Sequence, residues 1–194
     1  AMRTDTSGVW MEPSDGVKAV WTGDAAWVSP ATEDFERARF HLLTWPYFLA
    51  APFKIDDPGT NVETLGTKML QGESKLTAKL TFDSGVGDAP DDWYVLYLDP
   101  ASGRLDAMSY IVTYDKSAEQ AEESPHAIVY GGFREVGGAV LSTEWTFFKW
   151  SEEKGVYGDP IGNARLTNVA FRGEKPAEFT KPDGAQEDEL PAGG

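Results

Sequence analysis

Cysteine is missing from the 194-residue chain, and histidine occurs only twice, as His41 and His126. The lack of cysteine excludes disulfide bonds and thiolate metal sites. The hydrolase motif G-x-S-x-G and the zinc protease motif H-E-x-x-H are also missing. The glycine pairs Gly131-Gly132 and Gly137-Gly138 lie between predicted strands, not in strand-to-helix loops that bind phosphate. The sequence therefore indicates no serine hydrolase, zinc protease or dinucleotide-binding site.

Positive charge is also scarce, since 17 Lys and Arg face 32 Asp and Glu and the formal net charge is −15. Such a surface repels phosphate groups, so we expect no nucleic-acid partner and no basic patch for an anionic membrane. No apolar run approaches the ~20 residues that a membrane-spanning helix needs. No signal peptide is recognisable in the sequence.

Hydrophobic residues make up 41% of the chain and aromatic residues 12%, which is enough for a real core. A chain of this length buries about 70% of its unfolded surface as one domain. The 20 Gly and 12 Pro are spread along the chain and separate many short segments. This punctuation favours a mainly antiparallel β protein over a helical one.

The stretch from Trp93 to Tyr114 predicts a β-hairpin with its turn at Asp99–Gly103. Proline is favoured early in such a turn, and Gly103 tolerates a positive φ. In the first strand, alternation sends Trp93, Val95 and Tyr97 to one face and Tyr94, Leu96 and Leu98 to the other. Both faces are apolar, so the strand either lies between two layers or lines an enclosed space.

Between residues 33 and 53 the apolar positions follow a helical rather than an alternating pattern. Pro46 is expected to break or kink this segment near Thr44–Trp45. The segment is the most apolar piece of the chain, and we interpret it either as core or as a helical lid over a curved sheet.

Together with the central hairpin, the remaining segments predict nine or ten strands in total, connected mostly as hairpins, with no internal repeat and no βαβ rhythm. We therefore predict one domain over residues 1–172. Residues 173–194 are polar, acidic and rich in proline, and we predict a largely disordered tail.

The order of strands, helical lid and long meander resembles the LolA/LolB-type lipoprotein-carrier superfamily. The local likeness lies in YVLYLDPASGRLDAMSYIVTY, a strand, an Asp-Pro turn with a following Gly, and a second strand. The segments WPYFLAAPFKIDDPGT and HAIVYGGFREVGG are similar to an uncharacterised bacterial family of secreted or lipid-anchored proteins, the DUF6503 type. The resemblance covers most of residues 8–171.

The resemblance implies a strongly curved, unclosed antiparallel β-sheet, or half-barrel, with a helical lid on its concave face. It also implies a periplasmic, secreted or cell-surface location, with a leader, lipid anchor or membrane tether upstream of this sequence. We expect a monomer.

The leading hypothesis is a non-enzymatic binding or carrier protein for a hydrophobic or amphipathic, lipid-like molecule. Its cavity would lie between the concave sheet and the lid. The predicted wall residues are aromatic, four from the lid and five from the sheet, although either strand face could point inward. They are Trp45, Tyr47, Phe48, Phe53, Trp93, Tyr97, Tyr110, Trp145 and Phe147.

A second set of candidates is acidic and lies in loops rich in Gly and Asp. These residues are Asp56, Asp57, Asp83, Asp88, Asp91 and Asp92. Loops of this composition suit Ca²⁺, which takes hard oxygen ligands, although the spacing is not that of an EF-hand. The same carboxylates, with tryptophans as sugar platforms, are the alternative hypothesis of a carbohydrate-binding module or carbohydrate-active enzyme. A solvated loop on an envelope scaffold protein without a ligand is the third. We assign no catalytic residue.

Overall fold

The computed structural model describes residues 1–33, 35–173 and 179–191. These residues divide into two compact units, with the first formed by Ala1–Ala51 and Arg172–Pro191 and the second by Pro52–Phe171. Within the described residues, no helix combines the length and the apolar character needed to cross a membrane.

The first unit contains a five-stranded antiparallel sheet in the order β1-β2-β3-β4-β14. Its strands are β1 (Met2–Asp5), β2 (Gly8–Ser14), β3 (Val17–Trp21), β4 (Ala26–Ser29) and β14 (Gln186–Asp188). Helix α1 (Ala38–Ala50) packs on this sheet, against β2, β3 and β4, and a 3₁₀ turn (Ala51–Phe53) follows it.

Helix α1 runs through Pro46 without ending, so the break, one of the two outcomes expected near Thr44–Trp45, does not occur. A proline inside a helix removes one backbone hydrogen bond. Tertiary packing outweighs this loss here, because Leu42 and Phe48, on either side of the proline, are 0% and 4% exposed. The apolar side of α1 that carries Ala38 and Leu42 belongs to the core of the first unit. A helical lid over the larger sheet stays a prediction.

The C-terminal segment is ordered where the structure describes it, so the predicted disorder is wrong for residues 179–191. Strand β14 pairs with β4, and Phe179 is 5% exposed in a cluster with Trp10 and Val20. The carboxylate of Asp188 accepts a hydrogen bond of 2.7 Å from the backbone N–H of Arg39, in the first turn of α1. The predicted tail also includes residues 174–178 and 192–194, which lie outside the described residues.

The second unit contains a seven-stranded antiparallel sheet in the order β13-β12-β9-β8-β7-β6-β5. Its strands are β5 (Thr60–Leu70), β6 (Glu73–Phe82), β7 (Tyr94–Leu98), β8 (Leu105–Tyr110), β9 (His126–Gly131), β12 (Glu144–Ser151) and β13 (Gly155–Arg165). A small hairpin, β10 (Arg134–Val136) with β11 (Ala139–Leu141), and helix α2 (Ala118–Glu122) complete it. The predicted central hairpin is confirmed as β7 and β8, with Gly103 at φ 72° in the turn.

The close approach of the two edge strands shows that the seven-stranded sheet is strongly curved. In a flat sheet, six strand spacings would separate β5 from β13 by about 29 Å. Instead, Lys68 Nζ of β5 lies 2.5 Å from Glu152 Oε1 in the turn before β13. A Cβ atom on Gly155 would lie 3.7 Å from the backbone oxygen of Met69. No hydrogen-bonded ladder joins these two edges in the described part of the chain, which confirms the predicted mainly antiparallel, curved and unclosed fold.

Both faces of β7 and β8 are buried, and for β7 the apolar character of both faces predicts this. We call the face toward which the edges bend the concave face. Its core residues are Leu70, Val95, Tyr97, Ala107, Ala127 and Trp150, with Trp93, Val129 and Val156 partly buried beside them. The strand registers put Tyr94, Leu96, Met108, Tyr110, Ile128, Tyr130, Trp145 and Phe147 on the opposite face.

A buried ionic cluster lies at the end of the central hairpin, around Lys75 of β6. The Lys75 ammonium is 2.7 Å from Glu73 Oε2 and 2.8 Å from Asp106 Oδ2. Hydrogen bonds to these carboxylates, Asp106 first, raise the pKa of Lys75, so the side chain is charged although only 4% of the residue is exposed. Arg104 Nε also contacts Asp106, at 2.7 Å.

Replacing Lys75 by methionine should lower the free energy of unfolding by about 2–4 kcal/mol, because the Asp106 carboxylate would keep only Arg104 as a cationic partner. Urea unfolding at neutral pH measures this loss. Lys149→Met, at an exposed position on β12, is the control and should change stability by less than about 0.5 kcal/mol. Equal stability of both variants would show that the cluster contributes nothing.

Candidate functional site

An open groove of about 590 Å³ lies on the concave face of the second unit. Residues from five strands, from α2 and from the loops after α2 and β12 line it. They are Glu63, Leu65, Lys79, Trp93, Val95, Glu122, Glu123, Pro125, Trp150, Ser151, Glu152 and Tyr157.

Two tryptophans form the aromatic wall of the groove. The rings of Trp93 and Trp150 meet edge to face, with their centroids 5.5 Å apart. The indole N–H of Trp150 donates a hydrogen bond of 2.7 Å to the hydroxyl of Tyr97, which is fully buried beneath. Two contacts therefore hold Trp150, the edge-to-face contact with Trp93 and the hydrogen bond of its indole N–H, so the wall is rigid before any ligand binds.

Small side chains on the two middle strands make room for these rings. Ala107 and Ser109 of β8 and Ala127 of β9 lie on the concave face and are 0% exposed. Larger residues at these three positions would push Trp93 and Trp150 away from the sheet. Leu70 and Val156 pack with Tyr97 at the end where the sheet edges approach, and the groove opens beyond them.

The rim of the groove carries four exposed glutamates, Glu63, Glu122, Glu123 and Glu152. Glu122 Oε1 accepts a hydrogen bond of 3.3 Å from the indole N–H of Trp93. A capping box, in which Ser117 and Gln120 bond each other's backbone N–H, begins helix α2 and so positions Glu122.

One cation faces the same wall. Lys79 Nζ lies 5.3 Å from the centroid of the Trp93 ring, a distance typical of a cation–π contact. Lys79 is also the cross-strand neighbour of Glu63. The groove thus combines an apolar wall, a negative rim and one internal cation.

Asp92 holds the chain that presents Trp93. Its Oδ1 atom accepts hydrogen bonds from the backbone N–H and the hydroxyl of Thr113, at 2.7 and 2.8 Å. Burial raises the pKa of Asp92 to about 6, and this effect outweighs the two hydrogen bonds, which favour the charged form. Asp92 therefore ties the entry of β7 to the segment after β8.

The five predicted wall residues of the sheet do not share one face. Trp93 lines the groove, and Tyr97 lies beneath its wall. Tyr110, Trp145 and Phe147 are on the opposite face, so the five residues cannot line a single cavity. Tyr110 and Trp145 are buried there, at 9% and 2% exposure.

The four predicted wall residues of the lid are divided between the two units. Trp45 packs in the core of the first unit, and its indole N–H donates to His41 Nδ1 at 3.1 Å. Phe48 is buried and contacts the Trp45 ring edge to face, and Tyr47 lies between them on α1. Phe53, in the second unit, is 57% exposed. None of the four lines the groove.

The six acidic residues of the calcium hypothesis are not gathered into a metal-binding group. Asp92 is bonded to Thr113, Asp57 pairs with Lys54, and Asp83 accepts from the Asn61 amide at 2.8 Å. Within residues 1–33, 35–173 and 179–191, no group of three or more His, Asp or Glu side chains could hold a metal ion. Calcium binding stays a prediction that this geometry does not support.

Sequence reasoning missed most of the groove. Lys79 and Glu122 are not among the candidate residues drawn from the sequence. Trp150 carried a usable signal, because it is an apolar residue in a predicted strand, but nothing in the sequence pairs it with Trp93. Such pairing depends on the curvature of the sheet.

The lining of the groove includes Ser151 but no histidine. His126 lies on the opposite face, near the Tyr110 ring, and burial lowers its pKa. A Ser-His-Asp relay is therefore not assembled at the groove.

Comparison with known proteins agrees with the resemblance drawn from the sequence. A family of unknown function (DUF6503) matches residues 36–130, which confirms that part of the resemblance. The chain is also similar to two solved structures. One, from Vibrio parahaemolyticus, is described as an outer membrane lipoprotein-sorting protein domain, with 9% identity, a TM-score of 0.43 and coverage of 86% of this chain and 75% of that one.

The second solved structure is a LolA superfamily protein from Nitrosomonas europaea. It is 15% identical, with a TM-score of 0.44 and coverage of 90% of this chain and 76% of that one. No protein with a curated description matches the chain.

The raised pKa of Asp92 predicts a pH-dependent stability difference. The Asp92 carboxyl has a pKa of about 6 in the folded state and an ordinary value of 3.8, so the folded state binds its proton more tightly than the unfolded state does. This preference stabilises the folded protein at low pH, and the stabilisation is lost as pH rises through 6. Asp92→Asn keeps an oxygen for Thr113 and removes the charge. The stability of Asp92→Asn relative to the unmodified protein should therefore increase between pH 4.5 and 7.5 in urea unfolding. A constant difference over this range would contradict the raised pKa.

Proposed function

We propose that the protein is a non-enzymatic binding or carrier protein for an amphipathic molecule, which it holds in the groove of the second unit. The observation that carries this proposal is the wall of Trp93 and Trp150, set against buried small residues and bordered by exposed carboxylates. Such a wall covers the apolar part of a ligand, while the rim leaves its polar part in water.

The size of the groove supports the proposal. Pockets for small molecules typically measure 300–1,000 Å³ and combine apolar walls with a few polar groups. The volume of about 590 Å³ lies within this range. Each Å² of apolar surface removed from water contributes roughly 25 cal/mol, less the cost of ordering the ligand.

We also propose an extracytoplasmic location, as the sequence resemblance implies. Fractionation of the cells that make the full protein tests it. Recovery outside the cytoplasm, in the envelope or the medium, is the expected result, and recovery in the cytosolic fraction would contradict it.

A matched pair of substitutions on β5 tests the groove itself. Leu65 lines the groove and Val62 lies on the opposite face of the same strand, and both are exposed, at 37% and 51%. The probe is the uncharged fluorescent amine N-phenyl-1-naphthylamine. Leu65→Ser should weaken its binding roughly fivefold, because about 1 kcal/mol of apolar contact is lost.

Val62→Ser is the control and should bind the probe as the unmodified protein does. Two results would overturn the proposal. One is the failure of the unmodified protein to bind the probe, and the other is an equal loss of affinity in both variants, since this would place the bound probe away from the groove.

A further inference from the structure

We propose that the groove selects amphiphiles with a positively charged head, such as an alkylammonium group, and binds this head between Trp93 and the two glutamates at the C-terminal end of α2, Glu122 and Glu123. This inference rests on the proposed function and adds the chemistry of the ligand. Three observations carry it, namely the cation on the Trp93 ring, the balance of charges on the rim, and the orientation of Glu122.

The Trp93 ring is arranged as a cation-binding surface. Lys79 Nζ already lies 5.3 Å from the ring centroid, within the ~6 Å over which an indole face attracts a cation. Quaternary ammonium groups are recognised by aromatic rings through the same attraction. The lysine therefore shows that an ammonium group fits at this ring, and it would compete with a ligand for the place.

The charges on the rim do not cancel. Glu152 is paired with Lys68, and Glu63 lies opposite Lys79 across the strands. Glu122 and Glu123 of α2 form no ion pair with any residue in the described part of the chain. Two carboxylates therefore face the groove in excess of its lysines.

Glu122 is also oriented toward the aromatic wall. Its Oε1 atom accepts the indole N–H of Trp93 at 3.3 Å, which holds the carboxylate at the edge of the ring. A cation placed against Trp93 would thus meet the ring and a fixed negative charge together. An anionic head would be repelled by this carboxylate and by the net charge of −15 of the whole chain.

Isothermal titration calorimetry of the complete chain with three amphiphiles of the same chain length tests the selectivity. The ligands are dodecyltrimethylammonium, dodecyl maltoside and dodecanoate, each below its micelle concentration at pH 7 and low salt. We expect the cationic amphiphile to bind at least about tenfold more tightly than the other two.

Three variants distinguish the site from general attraction by an acidic protein. Glu122→Gln with Glu123→Gln should weaken binding of the cationic amphiphile roughly fivefold to tenfold. Glu119→Gln, on the same helix but outside the groove, should leave it unchanged. Lys79→Gln should tighten it, by roughly threefold, because the internal competitor at the Trp93 ring is removed.

The outcomes separate this inference from the proposed function. Equal binding of all three amphiphiles, or an equal effect of Glu119→Gln and the double variant, overturns the charge selectivity and leaves the amphiphile-binding function standing. Weaker binding of the cationic amphiphile by Lys79→Gln overturns the role of the Trp93 ring. Binding of none of the three overturns the proposed function together with the inference.

Discussion

The hydrogen bond between Trp150 and Tyr97 is the interaction on which the shape of the second unit depends. It joins side chains of β12 and β7, which are three strand spacings apart, about 14 Å in a flat sheet. Trp150 Nε1 and the Tyr97 hydroxyl can approach to 2.7 Å because Ala107 and Ala127 leave space above the strands between them. Burial strengthens the bond and makes its loss costly. The curvature of the sheet and the aromatic wall of the groove thus depend on the same contact.

The groove lies where the packing around Tyr97 and Trp150 ends. Leu70 and Val156 bring both edge strands into the same cluster, so the concave face is filled where the edges approach. Beyond this cluster the strands diverge from the filled end, and Trp93 has the groove on one side and the sheet on the other. A protein of this kind needs no separate element to create a binding surface, because the incomplete closure of its sheet leaves one.

The sequence predicted those features that depend on neighbours along the chain. The β7–β8 hairpin followed from Pro100, Gly103 and strict alternation, and the curved antiparallel class followed from the meander and the resemblance. The identity of the concave face did not follow, because both faces of β7 and β8 are apolar. Strand β14 and the cluster around Lys75 were missed for a related reason. Their stabilising partners, in β4 and around Asp106, are distant in sequence. Composition alone predicts that polar segments and charged residues of this kind are exposed to solvent.

The negative charge of the chain has a different effect at the groove than over the rest of the surface. A net charge of −15 attracts any cation weakly, is screened by salt, and favours solubility. Glu122 accepts a hydrogen bond from the Trp93 indole N–H, which holds its carboxylate at the edge of the aromatic ring. A spread charge sets how often a cation arrives, whereas a carboxylate held next to a ring favours the cations that also fit the ring. The selectivity that we propose for this site therefore depends on the geometry of one side-chain pair rather than on the number of acidic residues.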